Sequence, residues 1–468
     1  MQGYVKILLL SAILTTAACQ STEEVTMVVE ITRHGARAPF HIKGVEVEWM
    51  KGLQQSDLTP VGHRQHYLLG KQMAQTYSNI FTGKLNHDEY YVRSSEFQRT
   101  GTSAISHLMG LWDHFNPKQL DFDNGDSRIE PPYINTTDVT FRTPLPNGFI
   151  VSPIHTETTD EDSMLYFMTG GQCPKAAQES HAFRLKIGSD LEKNQDALNL
   201  LKGVCTKFGM KYEDYKNKFE LCYEIGDFVA MDLKHNNDPI IKKDDPGYGL
   251  LMRCYESNIV GKYSKPEILK VVSSALMTDI MKKINEKVEK NSKSKYYLFA
   301  AHDSTLSPLL IMAGVLDPMC FVNDMLNNRM SDCKNYPDTA ANVVFELVKF
   351  NDDHFIRMLS NFEPIDFCDL KNTNDRFRCP LKQFENKWTS LVSSNWQEWC
   401  GTTSKVKEYF KENKAPWKSF ALLMIGITAA VALLYIVLVV YLMRKQRQSQ
   451  SAKYDRQEIL EEDKSFGA

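Results

Sequence analysis

The sequence predicts an α/β fold: a mostly parallel sheet flanked by helices, interrupted by an inserted, mainly helical cap domain and followed by one C-terminal transmembrane helix. Three observations predict it. Short β-rich apolar runs alternate with helical patterns, and three of them end in a cationic residue at a turn or helix start. Residues 154–265 are richer in charge and helical pattern than in strands. Residues 420–442 are apolar and uncharged throughout, long enough at about 1.5 Å per residue to cross a hydrocarbon core of about 30 Å.

Taken in order, Lys6, the apolar run from Ile7 to Leu14 and the small residues up to Ala18 and Cys19 have the arrangement of a secretory signal peptide over residues 1–19. The first strand runs from Val25 to Ile31 and leads into Thr32-Arg33-His34-Gly35. Thr59 then Pro60 read as N-cap and first residue of a helix, with Leu68, Leu69 and Met73 as its apolar stripe. Tyr90, Tyr91 and Val92 form the second strand, followed by Arg93. Ser94 or Ser95 caps a helix carrying Phe97, Ala104, Ile105, Leu108 and Trp112. Residues 115–148 are rich in Pro, Asp and Asn and read as surface loop; they hold Asn135-Thr136-Thr137, the sole Asn-x-Ser/Thr glycosylation acceptor.

After the cap, one long helix is expected from Pro266 to Lys290, since Val272, Leu276, Ile280, Ile284 and Val288 stand four apart. The third strand, Tyr296 to Ala301, leads into His302-Asp303-Ser304, and Asn342 to Lys349 is a late strand. The expected segments are thus 1–19 signal peptide, 20–153 first part of the core, 154–265 cap, 266–367 second part of the core, 368–419 extension and stalk, 420–442 span and 443–468 cytoplasmic tail. Trp417, Lys418, Arg444, Lys445 and Arg447 flank the span as interface anchors. The layout is that of a single-pass type I membrane protein, with its large domain lumenal or extracellular. In the tail, Asp455 with Ile459-Leu460 resembles an acidic dileucine sorting signal, which points to lysosomal or endosomal membranes, with the cell surface as the other destination.

The balance of 55 Lys+Arg against 58 Asp+Glu leaves no bulk field to hold a nucleic-acid backbone, so nucleic acid is not an expected partner. With Cys19 removed, nine cysteines remain in an oxidising compartment, giving up to four disulfides and one free thiol. No CxxC pair or Cys/His ligand spacing occurs, so no metal is expected.

Arg33-His34-Gly35-Ala36-Arg37-Ala38-Pro39 sets two guanidiniums around one imidazole on a turn where Gly permits close backbone approach. Such a group suits an oxyanion, because arginine presents planar paired donors and stays charged at any pH. In a parallel sheet, ligands bind outside the carboxyl ends of strands, so Arg93 and His302 can converge on the same pocket.

With the distal His302-Asp303 pair, the segment at 33–39 resembles the histidine acid phosphatases, the RHGxRxP branch of the phosphoglycerate-mutase-like superfamily. The likeness runs over about residues 25–388. It takes in Leu58-Thr59-Pro60, Tyr91-Val92-Arg93-Ser94, Arg99-Thr100, Pro153-Ile154-His155-Thr156, Cys173-Pro174 and Cys379-Pro380-Leu381, and the layout is similar to that of lysosomal members. The resemblance implies a metal-free, cofactor-free hydrolase of phosphate monoesters with an acid optimum. His34 is then the nucleophile that becomes phosphohistidine and Asp303 the proton donor, while Arg33, Arg37, Arg93 and His302 hold phosphate oxygens. Three guanidiniums lower the pKa of His34 and keep it a neutral nucleophile in acid. His155 is a further candidate for substrate binding, whereas Arg99 is read as a salt-bridge partner on the second helix. By the same resemblance, Cys173 pairs with Cys379, and Cys222 with Cys320 or Cys333. The alternatives are a phytase or other inositol-phosphate phosphatase and a catalytically silent, receptor-like ectodomain. Association into a homodimer is left open.

Overall fold

Apolar residues on both faces bury β1 (Glu24–Arg33) at the centre of the sheet. It does so in a computed structural model that describes residues 23–401, apart from 41–44, 46, 83–85, 116–118, 122–127, 129–140, 168–171, 369 and 371–374, together with 439–445. The other strands are β2 (Tyr90–Ser94), β3 (Tyr296–Ala301), β4 (Asn342–Phe350), β5 (Asp353–Ser360), β6 (Glu363–Ile365) and β7 (Cys379–Pro380). Their order is β2-β3-β1-β4-β5-β6, with β7 also on β5. β1 and β2 run parallel to β3, but β4 is antiparallel to β1, and β5, β6 and β7 continue antiparallel.

The sheet is therefore mixed, and the expectation of a mostly parallel one is corrected. The reason lies in the connections. β4 and β5 are joined at Asn351 and Asp352, and β5 and β6 at Asn361 and Phe362, whose φ values of 51° and 67° are those of a two-residue hairpin turn. So short a link can join only antiparallel neighbours.

One face of the sheet, through Val29, Ile31, Phe299, Val343 and Phe345, packs on α8 (Ser274–Lys290), α9 (Asp303–Met312) and α11 (Leu381–Leu391). The opposite face, through Val28, Tyr296, Leu298, Ala300 and Val344, packs on α1 (Pro60–Thr76) and α2 (Gln98–Leu111). Thr59 caps α1 as its sequence predicts, accepting from the Gly62 amide. The buried side of α1 differs from the expected stripe: Leu68 is 53% exposed, while Gly62, His66, Gly70 and Met73 face inward. A Cβ on Gly70 would lie 2.0 Å from the His107 carbonyl oxygen, and one on Gly110 would lie 1.9 Å from that of Tyr67. These two glycines let the backbones of α1 and α2 touch. α2 begins later than expected, with Phe97 at its cap. Ser94 ends β2, and the Ser95 hydroxyl is engaged by His302 and Thr100.

The expected long helix is two, α7 (Pro266–Val272) and α8, separated at Ser273; the Ser274 hydroxyl donates to the Lys270 carbonyl at the break. Between β2 and β3, α3 (Pro174–Leu191), α4 (Gln195–Lys207), α5 (Lys218–His235) and α6 (Tyr248–Val260) enclose their own apolar cluster around Leu201, Phe219, Ile225, Phe228 and Leu251. They are joined there by Val322 and Met325 of α10 (Pro318–Leu326).

Cys173, at the cap of α3, is bonded to Cys400 at the end of α12 (Trp396–Cys400), not to Cys379. Cys379 pairs with Cys368, eleven positions away. Cys222 pairs with Cys254 across the packed helices α5 and α6, and Cys320 pairs with Cys333. Both expected cross-links of Cys173 and Cys222 are thus corrected, each sulfur taking the neighbour that helix packing sets beside it. Cys205 is the free, buried thiol.

The chain up to Cys400 forms one compact unit, and Gly401–Ala468 forms another. Among the described residues no helix is long and apolar enough to cross a membrane. Residues 1–22, Asn135, residues 402–438 and the tail from 446 lie outside the described residues; with them lie the expected signal peptide, glycosylation site, most of the span at 420–442 and the sorting signal.

Gly110→Ala should destabilise the protein by about 1–3 kcal/mol, because the added methyl meets backbone and not a flexible side chain. A denaturant midpoint equal to the wild type's would show that α1 and α2 do not cross at this distance.

Candidate active site

Parallel pairing of β1, β3 and β2 brings three strand ends to one edge. Arg33 stands opposite Ala301, the His34 amide donates to the Ala301 carbonyl at 3.0 Å, and the Ser95 amide donates to that of Ala300 at 3.2 Å. His34 follows β1, and His302 follows β3 as the cap of α9, with Asp303 the first residue of that helix.

The turn after β1 is held from behind by α1 and α2. The Gly35 amide donates to Ser103 Oγ, the Ala36 amide to Gln65 Oε1, and Thr59 Oγ1 to the Ala36 carbonyl. His66 Nε2 donates to the Arg33 carbonyl at 3.0 Å. A Cβ on Gly35 would lie 2.5 Å from the Gly62 carbonyl oxygen, so this glycine serves close packing on α1, not approach to a ligand.

His34 Nδ1 lies 2.8 Å from the Gly35 carbonyl oxygen, which only accepts. Nδ1 therefore carries the proton and Nε2 keeps its lone pair. Burial, then the fields of Arg99, Arg33, His302 and Arg37, hold the pKa of His34 well below 6.5. His302, its ring centre 5.6 Å away, donates from Nε2 to Ser95 Oγ at 2.8 Å and accepts at Nδ1 from Arg99 at 3.4 Å. Burial, Arg99, Arg33 and Arg37 push its pKa down in the same way.

The cations divide into two sets. Arg33 is fully buried behind the pocket: it donates to the Pro337 carbonyl and the Tyr255 hydroxyl, each at 2.7 Å, and pairs with Asp303 at 2.8 Å. Arg37 faces the pocket, fixed by two bonds to Asp227 at 2.7 and 3.1 Å. Arg99 faces it as well, donating to Ser56 Oγ and His302 with no carboxylate in ion-pair range among the described residues; burial and Arg37 pull its pKa down to about 10. The Nε atoms of Arg33, Arg37 and Arg99 are buried without a partner among the described residues.

Arg93 lies elsewhere. Its guanidinium pairs with Asp162 and Glu157, each at 2.8 Å, and contacts Met164 Sδ, and it does not line the pocket. His155 continues the edge of β2 through a bridge to Arg93, and its ring stacks on Tyr91 at 4.7 Å, away from the pocket. Sequence reading ranked Arg93 above Arg99 because Arg93 follows the β-rich run at once. Nothing local in the sequence separates the two, since Glu157 and Asp162, which hold Arg93, lie 64 and 69 positions from it, and among the described residues Arg99 has no carboxylate in ion-pair range. The expected salt bridge on Arg99 is corrected: it faces the pocket instead.

A cavity of about 270 Å³ joins His34, Arg37, Arg99, His302 and Asp303 to Phe40, Tyr166, Ser180, Arg184 and Lys262. One grouping among the described residues has metal-ligand reach, Cys320 with Asp324 and Cys333, and its two sulfurs are bonded to each other.

A sequence model described as "Histidine phosphatase superfamily (branch 2)" matches residues 24–134 and 231–361, the two stretches that supply His34 and His302. The chain belongs to this family. Prostatic acid phosphatase of Rattus norvegicus is 25% identical over 400 residues, covering 82% of this chain and 90% of that protein. Lysosomal acid phosphatase of Xenopus laevis is 23% identical over 458 residues, covering 93% and 90%. Among solved structures, Hafnia alvei phytase in complex with tartrate shares the fold with a TM-score of 0.55 at 15% identity, over 80% of this chain and 98% of that one.

Because burial and the guanidiniums oppose charge on them, the imidazoles of His34 and His302 should titrate well below 6.5 in a ¹⁵N NMR titration. The unfolded chain takes up protons below 6.5 and these native groups do not, so they make stability fall as pH drops from 6.5 towards their own lower values. A His34 midpoint at or above 6.5 would remove this account of its neutral ring.

Proposed function

We propose that the protein is an acid phosphatase that hydrolyses phosphate monoesters through a phosphohistidine at His34. The observation that carries this reading is a neutral imidazole with a bare Nε2, set among three guanidiniums and sharing a pocket with Asp303. Nε2 attacks phosphorus, the ester P–O bond breaks, and Asp303 gives its proton to the departing alkoxide. Water then attacks the phosphohistidine and yields its proton to Asp303; the P–N bond breaks and inorganic phosphate leaves. Arg37 and Arg99 take the phosphate oxygens, with His302 orienting Arg99 through Nδ1 and presenting its ring to the same pocket. Arg33 acts mainly by fixing Asp303 and by its field on His34. Arg93 acts at one remove, anchoring residues 157–164, and the stacked ring of His155 takes no part in binding.

The acid phosphatase relatives support the activity, and the lysosomal one supports a lysosomal setting. The finer placement, a type I protein with a signal peptide at 1–19, a glycan at Asn135, residues 154–265 as cap and a span at 420–442, rests on the sequence patterns at those positions.

His34→Ala should abolish turnover and acid-quench trapping of a phosphoenzyme. Arg99→Ala should lose more than about tenfold in kcat/KM as a charge-assisted donor is removed, and Arg93→Ala should lose less. The reverse order for the two arginines would restore Arg93 to the site.

Asp303→Asn should damage alkyl phosphates, which have poor leaving groups, far more than nitrophenyl phosphate. Equal losses on both would eliminate proton donation by Asp303.

A further inference from the structure

Asp324 is a fully buried carboxylate on α10, and it does not line the pocket. Arg253 Nε donates to it at 3.1 Å and Arg329 Nε at 2.8 Å, while Ser331 donates through its amide at 2.7 Å and its hydroxyl at 2.8 Å. Arg253, 4% exposed on α6, also donates to the Ser331 carbonyl at 2.7 Å and lies over the Phe321 ring. One carboxylate thus draws α6, α10 and the start of the segment 329–338 to a single point. A buried ion pair adds little net stability over apolar packing of the same volume, so stability alone is a poor account of this cluster.

The segment that the cluster grips leads to the site. Residues 329–338 form neither helix nor strand, so their course is set by what they are tied to. On the near side stand the Asp324 bonds, the Cys320–Cys333 disulfide and the bond from Asn335 Nδ2 to the Val315 carbonyl. On the far side the Ala340 amide donates to the His34 carbonyl at 3.0 Å, and the Arg33 amide to the Ala341 carbonyl at 2.9 Å. Between these ties, the Pro337 carbonyl accepts from Arg33 Nη1, and the Tyr336 ring lies 5.8 Å from that guanidinium, packed on Tyr255 and Phe321. Arg33 Nη2 in turn holds Asp303. The contacts therefore run without a gap from Asp324 to the carboxyl in the pocket.

We infer that Asp324 is a positioning residue: by fixing the segment 329–338 it holds Arg33, and through Arg33 it keeps the carboxyl of Asp303 where it can reach the departing oxygen. This rests on the phosphatase reading above and adds to it a residue remote from the pocket. A misplacement of about 1 Å that originates far from the chemistry can cost about a hundredfold in rate. The His34 turn has further ties of its own to α1, α2 and β3, so the loss falls on proton donation and spares the nucleophile. A merely structural Asp324 would slow every ester alike.

The test assays Asp324→Asn in the full chain on propyl phosphate and on 4-nitrophenyl phosphate at acidic pH, after circular dichroism has shown that it folds. Its kcat/KM for propyl phosphate should fall at least about tenfold and that for 4-nitrophenyl phosphate far less, the pattern expected of Asp303→Asn. Added to Asp303→Asn, the same substitution should cost propyl phosphate little more, as two residues that act as one require. Should Asp324→Asn not fold, Asp324→Val with Arg253→Met decides in its place, because exchanging both members of a buried pair for apolar residues spares the fold while cutting the same ties. Glu256, which that exchange deprives of Arg253, is pushed up to about 7 chiefly by burial and is uncharged in acid. Equal losses on both esters, no loss on either, or additive losses with Asp303→Asn would overturn the positioning role and leave the phosphatase standing. Turnover of neither ester by the wild type would instead sink the phosphatase reading, and this inference with it.

Discussion

The buried guanidinium of Arg33 joins four stretches of chain that are distant in sequence. It pairs with Asp303 at the start of α9, donates to Tyr255 on α6 and to the Pro337 carbonyl, and stands on β1, the central strand. A buried ion pair of this kind contributes little net stability against a well-packed apolar core, but removing one partner leaves an uncompensated charge at a cost of about 3–5 kcal/mol. The sheet, α6 and α9 are therefore held in one relative arrangement, the one that puts Asp303 and His34 into the same cavity.

Electrostatics then sets the chemistry from the same charges. Arg33, Arg37 and Arg99 oppose protonation of His34, while the Gly35 carbonyl directs its remaining proton to Nδ1. The proposed nucleophile is thus kept neutral by what surrounds it. Arg37 differs from Arg99 in being neutralised by Asp227, whereas Arg99 has no carboxylate in ion-pair range among the described residues.

Precision at the turn comes from packing of very small residues. Gly35 meets Gly62, and Gly70 and Gly110 let α1 and α2 close on each other, so that Ser103, Gln65, Thr59 and His66 all reach the backbone of residues 33–36. The sequence shows glycine at these positions, but a glycine required for contact is indistinguishable there from one required for a turn. The reading of Gly35 as room for a ligand failed for that reason.

Local chemistry was legible without coordinates. The strand runs at Val25, Tyr90, Tyr296 and Asn342, the Thr59 cap and the juxtaposition of His34 with His302 and Asp303 all follow from residue pattern and the geometry of parallel strands. Pairings between distant residues were not. Whether Arg93 or Arg99 faces the cavity depends on where Glu157 and Asp162 fall, and Cys173 meets Cys400 because α3 and α12 pack together. His155 is drawn off by Tyr91, and α1 turns Leu68 outward because its glycine face fits α2 more closely. The sequence by itself determined which elements form and which reactive groups stand at strand ends, since both depend on neighbours within a few positions. Only the tertiary structure decided which charges are cancelled and which are left to bind, because an ion pair or a disulfide is chosen by separation in space, and no local pattern encodes it.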